Sequence, residues 1–262
     1  MDLGLKGKSA LIAASSKGLG KAIALELARE GADVVITSRN EDQLQKTAAE
    51  IEAISGAKVA TCVADVTKSK DIQALIQFTV AEHEGIDILV TNAGGPPAGS
   101  FDDFGDEDWE NAFQLNLLSM IRLIRGALPY MRRKKSGRIV NLASSSFKQP
   151  IDNLILSNTF RTAIVGLSKS LSVELGRDGI LINTIGPGRI ATDRIVSLDM
   201  TYAAKTGLSP DEVRSRSVGQ IPLGRYGTPE EFAKVVAFLV SEANTYVTGQ
   251  AFLVDGGLVK SI

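Results

Sequence analysis

Short runs of β-branched and other apolar residues alternate along this chain with longer stretches in which apolar residues recur every three or four positions. The short runs predict seven buried strands, at 9–14, 33–37, 58–63, 86–91, 137–142, 180–185 and 251–254. Helical periodicity covers the segments between them, at 18–30, 41–54, 69–84, 107–133, 155–176 and 229–242. A repeat of strand and helix requires parallel strands joined by right-handed crossovers, with helices on both faces of the sheet.

The sequence therefore predicts an α/β fold, doubly wound (Rossmann type), with a seven-stranded parallel sheet in three α/β/α layers. We expect residues 1–262 to form a single domain. Residues 191–222 break the alternation, and 193–222 are the expected substrate lid. An open parallel sheet binds ligands outside the carboxyl ends of its strands, so residues just after each strand are the first site candidates.

Charge and cysteine content exclude several classes of protein. The net charge is −1, from 29 Lys+Arg and 30 Asp+Glu, and it offers no positive field for nucleic acid or anionic lipid. The apolar runs are much shorter than the roughly 20 residues of a membrane-spanning helix. Cys62 is the single cysteine, and the start of the chain lacks the apolar stretch of a secretory signal. We expect a cytoplasmic protein with no nucleic-acid, membrane or metal partner.

A glycine-bearing turn follows the first predicted strand, and it contains Ser16, Lys17, Gly18, Leu19 and Gly20. The glycines let the backbone approach a pyrophosphate, and the first N–H groups of the next helix are free donors for its oxygens. The alternative is a tight turn that only packs the helix on the strand.

The residues after strands two and three indicate which dinucleotide binds. Where NAD-binding sequences carry an acidic residue for the ribose diol, this chain has Arg39. With Lys17, Arg39 would clamp a 2′-phosphate, which favours NADP(H) over NAD(H). The alternative is two solvated surface cations. Asp65, followed by Val66, would accept a hydrogen bond from the adenine amino group or would only cap the next turn.

Several further motifs recur at a characteristic spacing. Asn92-Ala93-Gly94 follows strand four, Asn116 lies in the fourth helical pattern, and the segment after strand six contains Pro187-Gly188, Ile190 and Thr192. With residues 248–250 and 254–257, these motifs make the chain resemble the short-chain dehydrogenase/reductase superfamily from Lys8 to Gly257, and the 3-oxoacyl-[acyl carrier protein] reductases most. The resemblance implies that residues 92–94 line the adenosine side and that Pro187, Gly188, Ile190 and Thr192 hold the nicotinamide.

The catalytic set departs from the pattern of the superfamily, which uses a serine, a Tyr-x-x-x-Lys pair and an asparagine. Ser144 and Asn116 match the serine and the asparagine, but Ser157 and Arg161 stand where the tyrosine and the lysine are expected. A serine hydroxyl is a much weaker acid than a phenol, and a guanidinium stays charged at any working pH. Residues four apart share one helical face, so we expect Ser157 and Arg161 to point together toward the cleft.

A second departure lies in the glycine loop, where Ala14 replaces the usual glycine. The added methyl group is absorbed by a modest adjustment of the turn if φ of Ala14 stays negative. Tyr202 in the lid is the best alternative acid, although an aromatic residue that packs the lid onto the domain is the favoured interpretation.

Two hypotheses about function follow. The first is an NADP(H)-dependent oxidoreductase with a carbonyl/alcohol substrate, similar to 3-oxoacyl-[acyl carrier protein] reductases but with an atypical site. The second is a catalytically silent NADP-binding sensor or partner protein. The family resemblance and the apolar helical patterns also lead us to expect a homotetramer.

Overall fold

The computed structural model describes residues 2–261, and its sheet contains seven parallel strands in the order β3-β2-β1-β4-β5-β6-β7. The strands are β1 (Ser9–Ile12), β2 (Asp33–Ser38), β3 (Val59–Val63), β4 (Ile88–Thr91), β5 (Gly137–Leu142), β6 (Ile180–Pro187) and β7 (Ala251–Val254). The order reverses between β1 and β4, which is where doubly wound sheets bind ligands. The predicted fold class is confirmed.

Nine helices lie along the described part of the chain. They are α1 (Gly18–Arg29), α2 (Glu41–Ser55), α3 (Ser69–His83), α4 (Asp106–Phe113), α5 (Ser119–Lys134), α6 (Ile155–Leu175), α7 (Asp193–Thr206), α8 (Pro210–Gly219) and α9 (Pro229–Val240). A π-helical segment, Gln114–Leu118, joins α4 to α5. The predicted lid, residues 193–222, contains α7 and α8.

Two hydrophobic cores lie on opposite faces of the sheet, because successive strand residues point in opposite directions. In β1, Ala10 and Ile12 pack into the core formed with α1, α2 and α9. Leu11 and Ala13 pack into the other core, which contains residues of α3 and α5. The central strands β1, β4, β5 and β6 are buried on both faces, which explains why their sequences are mostly apolar rather than alternating.

The single helix predicted at 107–133 is wrong in detail, because the structure divides it into α4, the π-helical segment and α5. A π-helical segment adds a residue within one turn, and Asn116 in that segment is fully buried. Periodicity over such a long stretch does not detect one extra residue. At the strand ends, β1 stops at Ile12 and β6 continues to Pro187, which shifts the predicted boundaries by two residues.

Within residues 2–261, no helix combines the length and apolar composition needed to cross a membrane. The same part of the chain contains no cluster of three or more His, Cys, Asp or Glu residues suited to a metal ion.

Candidate active site at the carboxyl ends of the strands

The loop between β1 and α1 is held in one conformation by buried hydrogen bonds. The Ser15 hydroxyl donates to Ile12 O at 2.7 Å and accepts from Thr37 N at 3.0 Å, which ties the loop to β2. Thr47 Oγ1 donates to Ser16 O at 2.7 Å, which ties it to α2. The loop is therefore rigid before any ligand arrives.

Ala14 adopts a φ of 47°, so the condition that its φ stays negative is not met. The chain must turn sharply between β1 and α1, and Ala14 O accepts a hydrogen bond from Asn92 Nδ2 at 3.0 Å. This contact from the end of β4 helps hold the carbonyl in the strained turn. A Cβ on Gly20 would lie 2.5 Å from the same carbonyl oxygen, so Gly20 is required by a close backbone approach.

The first turn of α1 has the features of an anion site. Lys17, the residue before the helix, makes no capping hydrogen bond through its side chain, which leaves the first N–H groups available. Gly18 has a φ of 57°, and a Cβ there would lie 3.9 Å from Thr192 Cγ2. Gly18 and Thr192 therefore line one cleft between the start of α1 and the start of the lid. Leu19 is partly buried and packs against the hydrophobic core formed with α1, α2 and α9.

Arg39 and Lys17 are both exposed, and neither forms an ion pair within residues 2–261. Asp65 caps its own turn, because its Oδ1 accepts from Thr67 N at 3.0 Å and Thr67 Oγ1 at 2.8 Å. Partial burial acts to raise the pKa of Asp65, but these hydrogen bonds and the charges of Arg39 and Lys68 lower it overall. The capping alternative for Asp65 is thus realised, with Arg39 close by. Val66 is buried in the core.

The end of β4 meets the π-helical segment. Asn116 Nδ2 donates to Gly94 O at 2.7 Å, while its Oδ1 is buried without a partner among the described residues. Ala93 is buried, and Gly94 is exposed to the cleft side of the loop. The free Oδ1 of Asn116 is a ready acceptor for a hydroxyl.

Ser144, Ser146 and Ser157 form a serine cluster after β5. Ser144 Oγ accepts from Ser146 N at 3.2 Å, and Ser146 Oγ lies 3.3 Å from Ser157 Oγ, where either hydroxyl can donate. Ser157 is 7% exposed. Because Ser144 Oγ accepts from a backbone amide, its own hydrogen remains available to a ligand.

Arg161 is buried next to this cluster, one helical turn beyond Ser157. Its Nη1 donates to Leu142 O at 2.9 Å, and its Nε is buried without a partner among residues 2–261. Burial lowers the pKa of Arg161 to about 10, and the positive charge of Arg194 adds to that effect. With that pKa the guanidinium still carries its charge at pH 7.

The segment after β6 approaches the C-terminal part of the sheet. Gly188 N donates to Val254 O at 2.9 Å, and a Cβ on Gly188 would lie 2.5 Å from Asp255 Cβ. Pro187 ends β6, Ile190 is buried, and Thr192 Oγ1 donates to Ile190 O at 3.3 Å.

The lid is anchored by a buried carboxylate. Asp199 on α7 pairs through Oδ1 with Arg189 Nη1 and accepts through Oδ2 from Tyr226 Oη at 2.9 Å. Tyr202 on the same helix is 52% exposed, and its carbonyl oxygen accepts from Thr206. Nothing in these contacts gives Tyr202 the position of a proton donor.

The structure thus brings the predicted residues together along one edge of the sheet. Sequence reasoning missed Arg194, in the first turn of α7, whose Nη2 donates to Pro96 O at 2.8 Å across the cleft. It also gave no role to the contact between Ser146 and Ser157. An isolated arginine in a segment without a motif leaves no signal in the sequence.

Comparison with known proteins agrees with this geometry. Residues 13–259 match the family model described as Enoyl-(Acyl carrier protein) reductase. The pig protein named Dehydrogenase/reductase SDR family member 4 is 35% identical, and the alignment covers 98% of this chain and 89% of that protein. The chain belongs to the short-chain dehydrogenase/reductase family. Members of this family are NAD(P)-dependent oxidoreductases, and the resemblance stated from the motifs is confirmed.

Two further relatives are similar to this chain over nearly its whole length. The 3-oxoacyl-[acyl-carrier-protein] reductase of Thermotoga maritima is 33% identical over 97% of this chain and 99% of its own length. The structure of L-sorbose reductase from Gluconobacter frateurii, complexed with NADPH and L-sorbose, superposes with a TM-score of 0.95 at 33% identity and covers 100% of both chains. The family fold therefore extends over the lid as well as the sheet.

Proposed function

We propose that this protein is an NADP(H)-dependent oxidoreductase that interconverts a carbonyl and an alcohol, in the manner of a 3-oxoacyl-[acyl carrier protein] reductase. The observation that carries the proposal is the set formed by the half-buried Ser144 and the buried Ser157 and Arg161 beside the cofactor cleft. It retains hydroxyl donors and a fixed positive charge at the position where the family carries out its chemistry. We assign substrate contacts to these three residues and to Asn116.

The residues that would hold NADP(H) fit it on three counts. The open N-terminus of α1 faces the pyrophosphate position, Gly20 leaves no room for a side chain, and Gly18 lines one cleft with Thr192. Arg39 and Lys17 supply unpaired cations for a 2′-phosphate. The NADPH complex of the sorbose reductase supports the same cofactor. When bound, the nicotinamide supplies or accepts a hydride.

The protein's own contribution is to stabilise negative charge on the substrate oxygen. The Ser144 and Ser157 hydroxyls are donors for that oxygen, and the charge of Arg161 in a buried site is screened little by water. The two serine hydroxyls are much weaker acids than a phenol, and the Arg161 guanidinium stays charged at any working pH. The proton therefore comes from water.

A panel of ketones, quinones and 3-oxoacyl thioesters with NADPH tests the proposal directly. We expect NADPH to be consumed with at least one class of carbonyl. Tight binding of NADPH without turnover across the whole panel would instead support the second candidate, a silent NADP-binding protein. That candidate is favoured by one observation, the absence of a phenol beside the serine cluster within the described residues.

Restoring the family's pair provides a second, sharper test. We expect the double variant Ser157→Tyr with Arg161→Lys to raise NADPH oxidation with a 3-oxoacyl ester by about 10²-fold, the range of general acid catalysis. Each single variant should gain less, because the phenol and the ammonium act as a unit. A double variant that binds NADPH with normal affinity and gains no activity would show that the missing acid is not what limits the reaction.

A further inference from the structure

Two arginines near the proposed reaction centre have no carboxylate partner. Within residues 2–261, neither Arg161 nor Arg194 takes part in an ion pair, although six other basic residues do. Arg161 is 5% exposed. A buried cation without an anion is costly, and proteins normally pair it or use it.

The two guanidinium groups stand at the carboxyl ends of paired strands, since Arg161 donates to Leu142 O at the end of β5 and Arg194 donates to Pro96 O after β4. Burial is the main cause of the lowered pKa of Arg161, and the positive charge of Arg194 lowers it further. The pKa of Arg194 is itself lowered by burial. Two like charges held near one another repel, so an anion bound between them would relieve an unfavourable interaction already present in the protein.

The free donors also have the right geometry for a carboxylate. Arg161 already donates a hydrogen bond from Nη1 to Leu142 O. Its buried Nε has no partner among the described residues. Nε and Nη2 form the side of a guanidinium that donates two parallel hydrogen bonds to a carboxylate. Arg194 lies against Gly95, because a Cβ there would be 2.8 Å from Arg194 Nη2.

Arg194 stands two positions after Thr192 and against Gly95, so the pair borders the predicted nicotinamide residues and lies away from those of the 2′-phosphate. Arg194 spans from the first turn of α7 to Pro96 O, and Arg161 reaches the end of β5 beside Ser157. The cations assigned to the 2′-phosphate, Lys17 and Arg39, follow β1 and β2 on the other side of the switch point between β1 and β4. The arginine pair therefore stands on the side of the serine cluster.

We propose that Arg161 and Arg194 form an anion subsite that binds a carboxylate on the carbonyl substrate, so that the protein acts on oxo acids rather than on neutral ketones. This inference rests on the proposed function, because it names the substrate class of the same site. In this arrangement Arg161 on α6 binds the carboxylate while its charge still acts on the carbonyl oxygen, to which Ser144 and Ser157 donate. Arg194 contacts the carboxylate from α7.

The test compares 3-oxobutanoate with its methyl ester, which differ in the negative charge. In wild type we expect kcat/KM with NADPH to be at least about 10-fold higher for the acid, a typical effect of a charge-assisted contact. Arg194→Gln should reduce this preference by about 10-fold or more. Arg194 is the residue to replace because it is partly exposed, and its variant should fold.

A matched control is Arg216→Gln, which removes the same charge from the exposed face of α8. We expect this variant to keep the wild-type preference for the acid within about twofold, since surface charges act weakly. Equal use of acid and ester by wild type would overturn the inference. A weaker affinity for NADPH in Arg194→Gln with an unchanged preference would also overturn it, because the pair would then serve the cofactor.

A binding measurement distinguishes failure of this inference from failure of the proposed function. If neither acid nor ester is reduced, butanoate is titrated by calorimetry into the protein saturated with NADP⁺. Binding to wild type that weakens by about 10-fold in Arg194→Gln would support the anion subsite in a protein without reductase activity. No detectable binding of butanoate to wild type would overturn it.

Discussion

Arg39 follows β2 with an exposed side chain, and its charge contributes to the lowered pKa of Asp65. We expect Arg39→Ala to weaken binding of NADPH by about 1.5–3 kcal/mol, because a charge-assisted contact with the 2′-phosphate is lost. NADH has no such phosphate and should lose much less. Titration of each nucleotide by fluorescence measures the two affinities, and Lys17→Ala should act in the same direction.

The matched control for Arg39 is Arg29→Ala, at the far end of α1 from the glycine loop. This variant has the same change in net charge and should leave the ratio of the two affinities at the wild-type value. Equal losses of NADPH and NADH affinity in Arg39→Ala would contradict the assignment of Arg39 to the 2′-phosphate.

Individual residues differ in how far the sequence predicts them. Gly20 and Asn92 belong to motifs, and the structure explains both through one atom, since each depends on close approach to Ala14 O. The positive φ of Ala14 was not predictable, because alanine rarely adopts it and only the surrounding contacts impose it. Arg194 acts through a contact with Pro96, 98 positions away in sequence, and no local pattern encodes that distance.

At the scale of elements, a buried polar network fixes α6 on the sheet below the candidate site. Ser168 Oγ accepts from Asn141 Nδ2 and from Thr184 Oγ1, both at 2.8 Å, and donates to Ile164 O at 2.9 Å. Thr91 Oγ1 extends the network to β4 through Asn141 Oδ1 at 2.6 Å. One hydroxyl thus connects β5 and β6 to the helix that carries Ser157.

We expect Ser168→Ala to lower the free energy of unfolding by about 1–3 kcal/mol, because two buried donors lose their acceptor. Urea unfolding measures the change. Ser172→Ala is the control on the same helix, since its hydroxyl donates only to Lys169 O near the surface, and it should cost less than about 0.5 kcal/mol. Equal stability of Ser168→Ala and wild type would show that this network does not hold α6 in place.

Elements with strong periodicity were predicted well, and the exceptions have physical causes. The strands β5 and β7 match their predicted limits at 137–142 and 251–254. The helical prediction at 107–133 missed the π-helical segment, because Asn116 is placed by its bond to Gly94 O, a contact outside the helix. The lid helices α7 and α8 were not predicted, because residues 193–222 contain no recognisable motif.

For the whole molecule, the alternation of strands and helices was sufficient to predict the sheet, since few connections are compatible with seven parallel strands. The same alternation says nothing about the substrate, because functional groups lie in the loops and the lid. The oligomeric state likewise depends on surface residues, and the periodicity of apolar residues does not predict which of them form an interface.

We expect the protein to be a homotetramer, with α6 in one of its two-fold interfaces. Val173 on α6 is 80% exposed in the single chain, and an apolar side chain gains about 1.5–3 kcal/mol when an interface buries it fully. In a two-fold interface the same residue comes from both chains, so Val173→Asp places two like charges together.

Light scattering at micromolar concentration should give four times the chain mass of 27.8 kDa for wild type and a lower mass for Val173→Asp. Ile54→Asp on α2, where the isoleucine is 55% exposed, should keep the wild-type mass. A monomeric wild type would rule out the tetramer, and an unchanged mass for Val173→Asp would place the interfaces away from α6.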